Sequence, residues 1–271
     1  MTKYIAVAAL AIVSLQVNAQ QNEGKIIYTR TTQMQIRIAG GNNEMENLMP
    51  RTRTDKFELN FVADKSMWKQ MEPEEQEATS FGAVGDGGTM QIRTFGSGGD
   101  DVMFSNLAMQ KRIELRELGT KKFIVDDSIV RLNWKLSDET KLILGHTCRK
   151  AVSQRISTRM MMSMEDGKTE RKEVADTANI IAWFATDIPV STGPGEYQAQ
   201  LPGAVLEIDV NNGRSSFKAI EINPKADIAV IKEPKGSKRI SSQEYVKERN
   251  KLMEEMGRNN AGPGRTIRIA N

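Results

Sequence analysis

Residues 205–222 read VLEIDVNNGRSSFKAIEI, and this stretch decides the class of fold. Apolar and polar residues alternate on both sides of Asn211-Asn212-Gly213, which is typical of strands with one buried face. Asparagine and glycine tolerate positive φ angles, so these three residues suit a tight reversal of the chain. The stretch therefore predicts a β-hairpin, and with it an antiparallel sheet.

The same alternation recurs along most of the chain. Phe57, Leu59 and Phe61 alternate with polar residues, and Ile26 and Tyr28 begin the series. Further strand-like runs occupy residues 34–38, 90–95, 102–109, 113–118, 122–125, 129–136, 148–156, 174–184 and 228–231. Helical patterns do not separate these runs, which argues against parallel βαβ units. We predict a mainly β fold, an antiparallel curved sheet or half-barrel with one C-terminal helix.

The C-terminal helix is predicted over residues 241–257. Ser241 and Glu244 have the spacing of a capping box, with Ser241 as the N-cap. The apolar residues after the cap share one helical face: Tyr245, Leu252, Met253 and Met256. Gly257 is a typical helix stop. Residues 258–271 are rich in Gly, Asn and Arg, so we predict a disordered basic tail.

Residues 1–19 have the composition of a cleavable secretory signal peptide. Lys3 supplies the positive n-region, residues 5–15 form an apolar run, and residues 17–19 form a small-residue cleavage site. The run is shorter than the roughly 20 residues of a spanning helix. We therefore expect export, no transmembrane anchor, and a single β-rich domain over residues 20–257.

The charge and the rare residue types limit the chemistry. A formal net charge of +3 at pH 7 gives no argument for nucleic acid or an anionic membrane as a partner. Cys148 is the only cysteine, so an internal disulfide and an amino-terminal lipid anchor are not expected, and we expect it to be buried. His146 is the only histidine, so we expect no metal, no cofactor and no serine–histidine catalysis.

Two compositionally biased segments could be interpreted as metal-binding sites, but this interpretation is not the favoured one. Residues 82–101 hold seven glycines and three aspartates and are predicted to be a flexible loop region. Their spacing matches neither an EF-hand loop nor a nonapeptide calcium repeat. Met160, Met161, Met162 and Met164 have thioethers that could bind Cu(I), but adaptable hydrophobic packing or a contact surface is the favoured interpretation.

His146 and Cys148 form the one candidate reactive or ligand pair. Residues two apart in a strand share a face, at a separation of roughly 7 Å. That separation is too large for a direct thiol–imidazole hydrogen bond unless Gly145 introduces a kink. The functional hypothesis for this pair is a cysteine–histidine nucleophile or a metal site completed by carboxylates. The alternative is a buried cysteine beside a half-exposed histidine.

The segment from Trp183 to Glu207 carries the most local information. Gly193-Pro194-Gly195 and Leu201-Pro202-Gly203 are two turns that bracket a short apolar stretch. Proline sets φ and glycine accepts positive φ, so each turn is tight and rigid. The segment predicts a shaped corner between strands at 180–186 and 204–210. It could be a core device or a binding lip, and packing arguments favour the core device.

This segment resembles the GLPGLI family, exported proteins of the Bacteroidetes named for a Gly-Leu-Pro-Gly-Leu-Ile motif. The matching positions here are Ala182, Trp183, Phe184, Asp187, Ile188, Pro189, Gly193, Pro194, Leu201, Pro202 and Gly203. Upstream, residues 145–151 are similar to the family's G-Y-x-C-x-K-A segment, and Trp134 to its preceding tryptophan. Gln200 stands where the family has its first motif glycine, Ala204-Val205 where it has Leu-Ile, and His146 where it has an aromatic residue.

The resemblance implies an exported β-rich protein of a Gram-negative envelope, which we expect in the periplasm, and it supplies no catalytic residues. Our leading hypothesis is a non-catalytic binding or accessory protein for a hydrophobic small molecule or a partner segment, held by the concave face of the sheet. The alternative is an interaction module associated with an outer-membrane transporter or another envelope protein. An enzyme or metal-binding protein that uses His146 and Cys148 is the third hypothesis.

Overall fold

A computed structural model describes residues 21–33, 52–72, 102–165, 168–236 and 238–259. The predicted signal peptide, the strand-like runs at 34–38 and 90–95, the glycine-rich region and residues 260–271 lie outside the described residues. The described strands are β1 Glu23–Gln33, β2 Thr52–Val62, β3 Lys65–Gln70, β4 Val102–Asn106, β5 Lys111–Leu118, β6 Lys121–Ser128, β7 Lys135–Ile143, β8 His146–Glu165, β9 Lys168–Ala185, β10 Val205–Val210, β11 Ser215–Asn223 and β12 Lys238–Ile240. The α-helix α1 spans Ser242–Asn259.

The described strands form one open, curved sheet in the order β12-β6-β5-β4-β3-β2-β1-β11-β10-β9-β8-β7. Neighbouring strands are antiparallel except β12, which pairs with β6 in parallel. The predicted fold class, a curved antiparallel sheet with one C-terminal helix, is confirmed. None of the helices in the described part of the chain is long and apolar enough to cross a membrane.

The hairpin predicted from residues 205–222 is confirmed. β10 and β11 pair in register from Val210 opposite Ser215 to Glu207 opposite Lys218. Between them Asn211, Asn212 and Gly213 all have positive φ angles, of 51°, 55° and 83°. The Asn211 side chain also accepts a hydrogen bond from the main-chain nitrogen of Asn179 on β9, at 2.8 Å. The turn is therefore tied to the next strand of the sheet.

The core is divided into clusters along the sheet, and each is covered by chain that lies outside the strands. Residues 186–204 cover the centre, where Ile188, Leu201 and Tyr197 are buried. Ile231, beside a short 3-10 helix at Ile228–Val230, contributes to the cluster on β3 to β6. Helix α1 covers the remaining cluster through Tyr245. The sheet alone would leave these apolar side chains in water.

Helix α1 begins as the sequence predicts. The Ser241 hydroxyl accepts from the Glu244 amide at 3.2 Å, and the Glu244 carboxylate accepts from the Ser241 amide at 2.8 Å, so the capping box is confirmed. The predicted stop at Gly257 is wrong, because α1 continues to Asn259. One glycine costs a helix only about 1 kcal/mol relative to alanine and does not by itself end it.

Two predicted strands are not strands. Residues 129–134 run as an irregular segment, and the strand β7 begins only at Lys135. Ile228–Val230 is a 3-10 helix capped by Asp227, whose carboxylate accepts from the Ala229 amide at 3.1 Å. Each segment combines buried and exposed apolar residues, since Val130, Ile228 and Val230 are exposed. Ile129 and Ile231 are buried although neither belongs to a strand.

Strands β8 and β9 are the longest and extend past their neighbours. β8 pairs with β7 only as far as Val152, and β9 pairs with β10 only as far as Ile180. Among the strands that the structure describes, residues 154–165 and 168–178 pair only with each other, in one continuous antiparallel register. We call this two-stranded extension the ribbon. At a rise of about 3.3 Å per residue, each of its strands is roughly 35 to 40 Å long.

Candidate functional site

The segment from 186 to 204 forms the predicted corner between β9 and β10, and main-chain hydrogen bonds hold it closed. The Ala185 amide donates to the Ala204 carbonyl at 2.8 Å, and the Ala204 amide donates to the Ile188 carbonyl at 3.0 Å. The Val205 amide donates to the Thr192 carbonyl at 2.8 Å. The corner is therefore a folded loop joined to both strands.

Two glycines of the corner lie where no larger residue fits. A Cβ atom on Gly203 would lie 2.0 Å from the Ala185 carbonyl oxygen, and one on Gly193 would lie 2.7 Å from the Tyr197 carbonyl oxygen. Both neighbours are main-chain atoms that cannot rotate away. Gly195 has a φ of 53°, which also favours glycine. The turn residues are thus required by close approach of the main chain.

The remaining candidate residues of the corner divide between core and surface. Leu201 and Pro194 are buried, while Pro189 and Pro202 are exposed. Tyr28 of β1 donates from its hydroxyl to the Val205 carbonyl at 2.7 Å, next to the corner. Burial raises the pKa of Tyr28 well above its usual range, so the hydroxyl stays a donor. This arrangement favours the core device over the binding lip.

Gln200, which departs from the family motif, joins the corner to the irregular segment at 129–134. Its Oε1 accepts from the Leu132 amide at 2.9 Å and from the Trp134 indole at 3.2 Å. Its Nε2 donates to the Val130 carbonyl at 3.0 Å. Sequence reasoning missed this function of Gln200, and the only signal was a polar residue at an expected glycine position.

The structure brings together four of the sequence-predicted residues near the start of β8. His146 donates from Nδ1 to the Asp187 carboxylate at 2.9 Å, which links the first residue of β8 to the beginning of the corner. Cys148 lies two residues after His146 on β8, and Trp183 lies on β9, the strand that pairs with β8. Asp187 is more than half exposed, so the His146–Asp187 pair faces solvent.

Cys148 is buried, as expected from the sequence. Burial, together with the negative charges of Asp187 and Glu207, raises the pKa of its thiol to about 11. The thiol donates to the His146 carbonyl at 3.6 Å and not to the imidazole. A nucleophilic cysteine needs the opposite environment, which lowers the pKa of the thiol. The pair is therefore poorly arranged for nucleophilic catalysis.

Trp183 lies among charged side chains on the same part of the sheet. The Lys141 ammonium is 4.5 Å from the centroid of the indole ring and also forms an ion pair with Glu207 at 2.7 Å. The Lys150 ammonium is 6.0 Å from the same ring and contacts Glu139. The amine that covers the indole at 4.5 Å would obstruct stacking of a flat ligand there.

The described residues form neither an apolar pocket of note nor a metal site. Two shallow clefts are lined by Asn179, Ile181, Asp209, Asn211 and Asn212, and by Ile124, Glu233, Pro234, Lys235, Gly236 and Arg239. Both clefts are lined by polar or charged side chains together with apolar ones. Within the described ranges, no three His, Cys, Asp or Glu side chains converge as metal ligands would.

A known protein family matches only part of this chain. Residues 134–207 match the model of a family described as "Protein of unknown function (Porph_ging)", a range that covers β7 to β9 and the corner. No curated protein sequence matches the chain.

Among solved structures, the chain is similar to one titled "Structure of PNGF-II in C2 space group", with a TM-score of 0.50 and 15% identity over 84% of this chain and 33% of that one. A second, "Structure of PNGF-II in P21 space group", gives a TM-score of 0.47 and 15% identity over 83% and 32%. The chain thus spans about a third of the length of the PNGF-II chain. At this identity the likeness is one of fold alone, and the similar structure is also β-rich.

Proposed function

We propose that the chain is a non-catalytic interaction module of the cell envelope, and that its ribbon binds a partner protein. One observation carries the proposal: the ribbon extends past both neighbouring strands and pairs only with itself among the described residues. A strand with an unpaired edge can accept a strand from another protein through main-chain hydrogen bonds. The ribbon presents two such edges.

The exposed apolar residues of the ribbon support a protein partner. Ile156 is 77% exposed and Val174 is 39% exposed, although both are β-branched residues that usually pack against a neighbour. The base of the ribbon is fixed to the body, because Arg155 forms an ion pair with Glu196 of the corner. Burial of the two exposed side chains would stabilise a complex beyond its main-chain hydrogen bonds.

A hydrophobic small molecule is the less favoured occupant. The apolar side chains at the centre of the sheet already contact the corner, through Ile188, Tyr197 and Leu201. A ligand would have to displace those side chains, and the main-chain bonds of the corner oppose this movement. The partner segment is therefore the better supported form of the binding hypothesis.

The proposed location follows from the amino-terminal sequence and from the resemblance to the GLPGLI family. Residues 1–19 carry the charge and apolar pattern of a secretory signal. We propose membership of that exported family and residence in the periplasm, with an outer-membrane or other envelope protein as partner. Mass spectrometry of protein from fractionated cells tests this: a periplasmic form that begins at Gln20 supports export, and a cytoplasmic form that retains residues 1–19 contradicts it.

Site-specific photo-crosslinking tests the ribbon. A photoreactive amino acid at Ile156 should yield a crosslinked envelope protein in intact cells. The matched control is the same residue at Val130, which is 80% exposed but lies outside the ribbon. An adduct at both positions would indicate non-specific capture, and no adduct at Ile156 would contradict the proposal.

A further inference from the structure

Four polar side chains lie in the core where the corner meets β3 and β4. Ser66, Ser105, Thr192 and Gln198 are each at least 98% buried. The Ser66 hydroxyl donates to Gln198 Oε1, and the Thr192 hydroxyl is 3.5 Å from the same oxygen. Two atoms of this group, Gln198 Nε2 and Ser105 Oγ, are fully buried and have no hydrogen-bonding partner among the described residues. Such atoms are rare in folded proteins.

The two unpartnered atoms belong to neighbours. Ser66 and Ser105 lie directly opposite each other in the antiparallel pairing of β3 and β4. Opposed side chains on such a pair have Cβ atoms about 5 Å apart. Gln198 contacts Ser66, and the pairing of β3 and β4 brings Ser105 to the same part of the core. Rotating the amide by 180° would exchange its oxygen and nitrogen but would still leave one end without a partner.

The local sequence provides small side chains at this point of the sheet. The neighbouring residues on β3 and β4 that oppose each other are Trp68 and Met103, which are large. Two serines at the adjacent pair occupy much less volume. A polar site that has small walls and two or more unsatisfied groups is the kind that holds an internal water.

We propose that this cluster is a hydration site that binds one water molecule between Gln198 and Ser105. The water would accept from Gln198 Nε2 and exchange a hydrogen bond with Ser105 Oγ, which satisfies both atoms. The water would thereby connect the corner to β4. The described side chains of this cluster form no direct hydrogen bond between the corner and β4. The Gln198 amide would then be held at both ends.

A crystal structure at a resolution that shows ordered water is the first test. We expect one peak within about 3 Å of both Ser105 Oγ and the Gln198 amide nitrogen. A map without this peak, or one in which the amide has turned to contact Ser105 directly, would overturn the proposal.

The sign of a stability change tests the same site in solution. If Ser105 binds water, S105A removes a hydrogen bond and lowers Tm. If its hydroxyl is unpartnered, S105A relieves a buried polar group and raises Tm. S66A is the matched control, because it removes the direct bond to Gln198 and should lower Tm in either case. Magnetic relaxation dispersion of water oxygen should also count one fewer long-lived water in S105A than in the wild type, and an unchanged count would overturn the proposal.

Discussion

At the scale of single residues, Gly203 shows how the main chain constrains the corner. The φ angle of this residue lies outside the left-handed region, so an alanine would meet no backbone strain there. The obstacle to a side chain is contact, because a Cβ would lie 2.0 Å from the Ala185 carbonyl oxygen. We predict that G203A lowers the free energy of unfolding by about 3 kcal/mol, as overpacking of a core does. Urea denaturation followed by tryptophan fluorescence measures the change.

Gly145 provides the matched control for that prediction. It has a φ of 87°, and nothing lies within 4 Å of the position of a Cβ atom. G145A should therefore cost only the strain of a left-handed alanine, about 1 kcal/mol. Equal losses in G203A and G145A would show that contact with Ala185 is not the cause.

Cys148 should make stability fall at alkaline pH. Its ordinary pKa is 9.0 and burial raises the pKa to about 11 in the folded protein. Between these values the unfolded chain releases the thiol proton while the folded chain keeps it. This contribution to stability is thus complete below pH 9 and is lost as pH rises toward 11, at up to about 1.4 kcal/mol per pH unit.

The variant C148A isolates this effect, because other groups also titrate in the same range. Urea midpoints between pH 8.5 and about 10.5 should fall more steeply in the wild type than in C148A. Parallel curves for the two proteins would mean that the thiol titrates alike in both states. They would contradict the burial argument for Cys148.

At the scale of elements, the sequence predicts strands well where one face is buried and poorly elsewhere. The Asn211-Asn212-Gly213 turn and its strands carry their own signal, because alternation and turn chemistry agree. β7 lacks alternation, since it is an edge strand whose side chains are almost all partly or fully exposed. Residues 129–134 are fixed to the corner through Gln200, and the apolar residues among them do not by themselves specify an extended chain.

Helix α1 depends on one aromatic anchor. Tyr245 packs edge-on against Phe123 at a centroid distance of 5.9 Å and donates to the Glu117 carbonyl at 3.2 Å. We predict that Y245A lowers the free energy of unfolding by about 3 kcal/mol and frees α1 from the sheet. Hydrogen exchange should then accelerate in α1 while the central strands stay protected.

Val246 is the control for the anchor, because it is the next residue of α1 and is 40% exposed. V246A should leave exchange in α1 nearly unchanged. If Y245A instead accelerates exchange throughout the sheet, α1 is part of the global cooperative unit, and the prediction of local release is wrong.

At the scale of the whole molecule, the candidate site depends on contacts that local sequence does not encode. His146 and Asp187 are 41 residues apart and meet only because β8 and β9 pair in one register. Gln200 and Trp134 are likewise distant in sequence. The resemblance to an exported family identified several of these positions but not their contacts. Pairing register is a property of the complete sheet, so these contacts follow from the fold and not from a motif.

The division of the molecule into a packed body and a ribbon gives the last prediction. Within the described part of the chain, residues 158–165 and 168–175 pair only with each other. The corner, in contrast, contacts strands from both halves of the sheet. We predict that replacing residues 158–175 by Asn-Gly, a dipeptide that favours tight hairpins, leaves Tm within a few degrees of the wild type. The same variant, with the photoreactive residue kept at position 156, should lose the crosslinked partner. A large fall in Tm would mean that the ribbon stabilises the body, and retained crosslinking would place the partner elsewhere. Preserved stability with lost binding is the combination that an interaction arm requires.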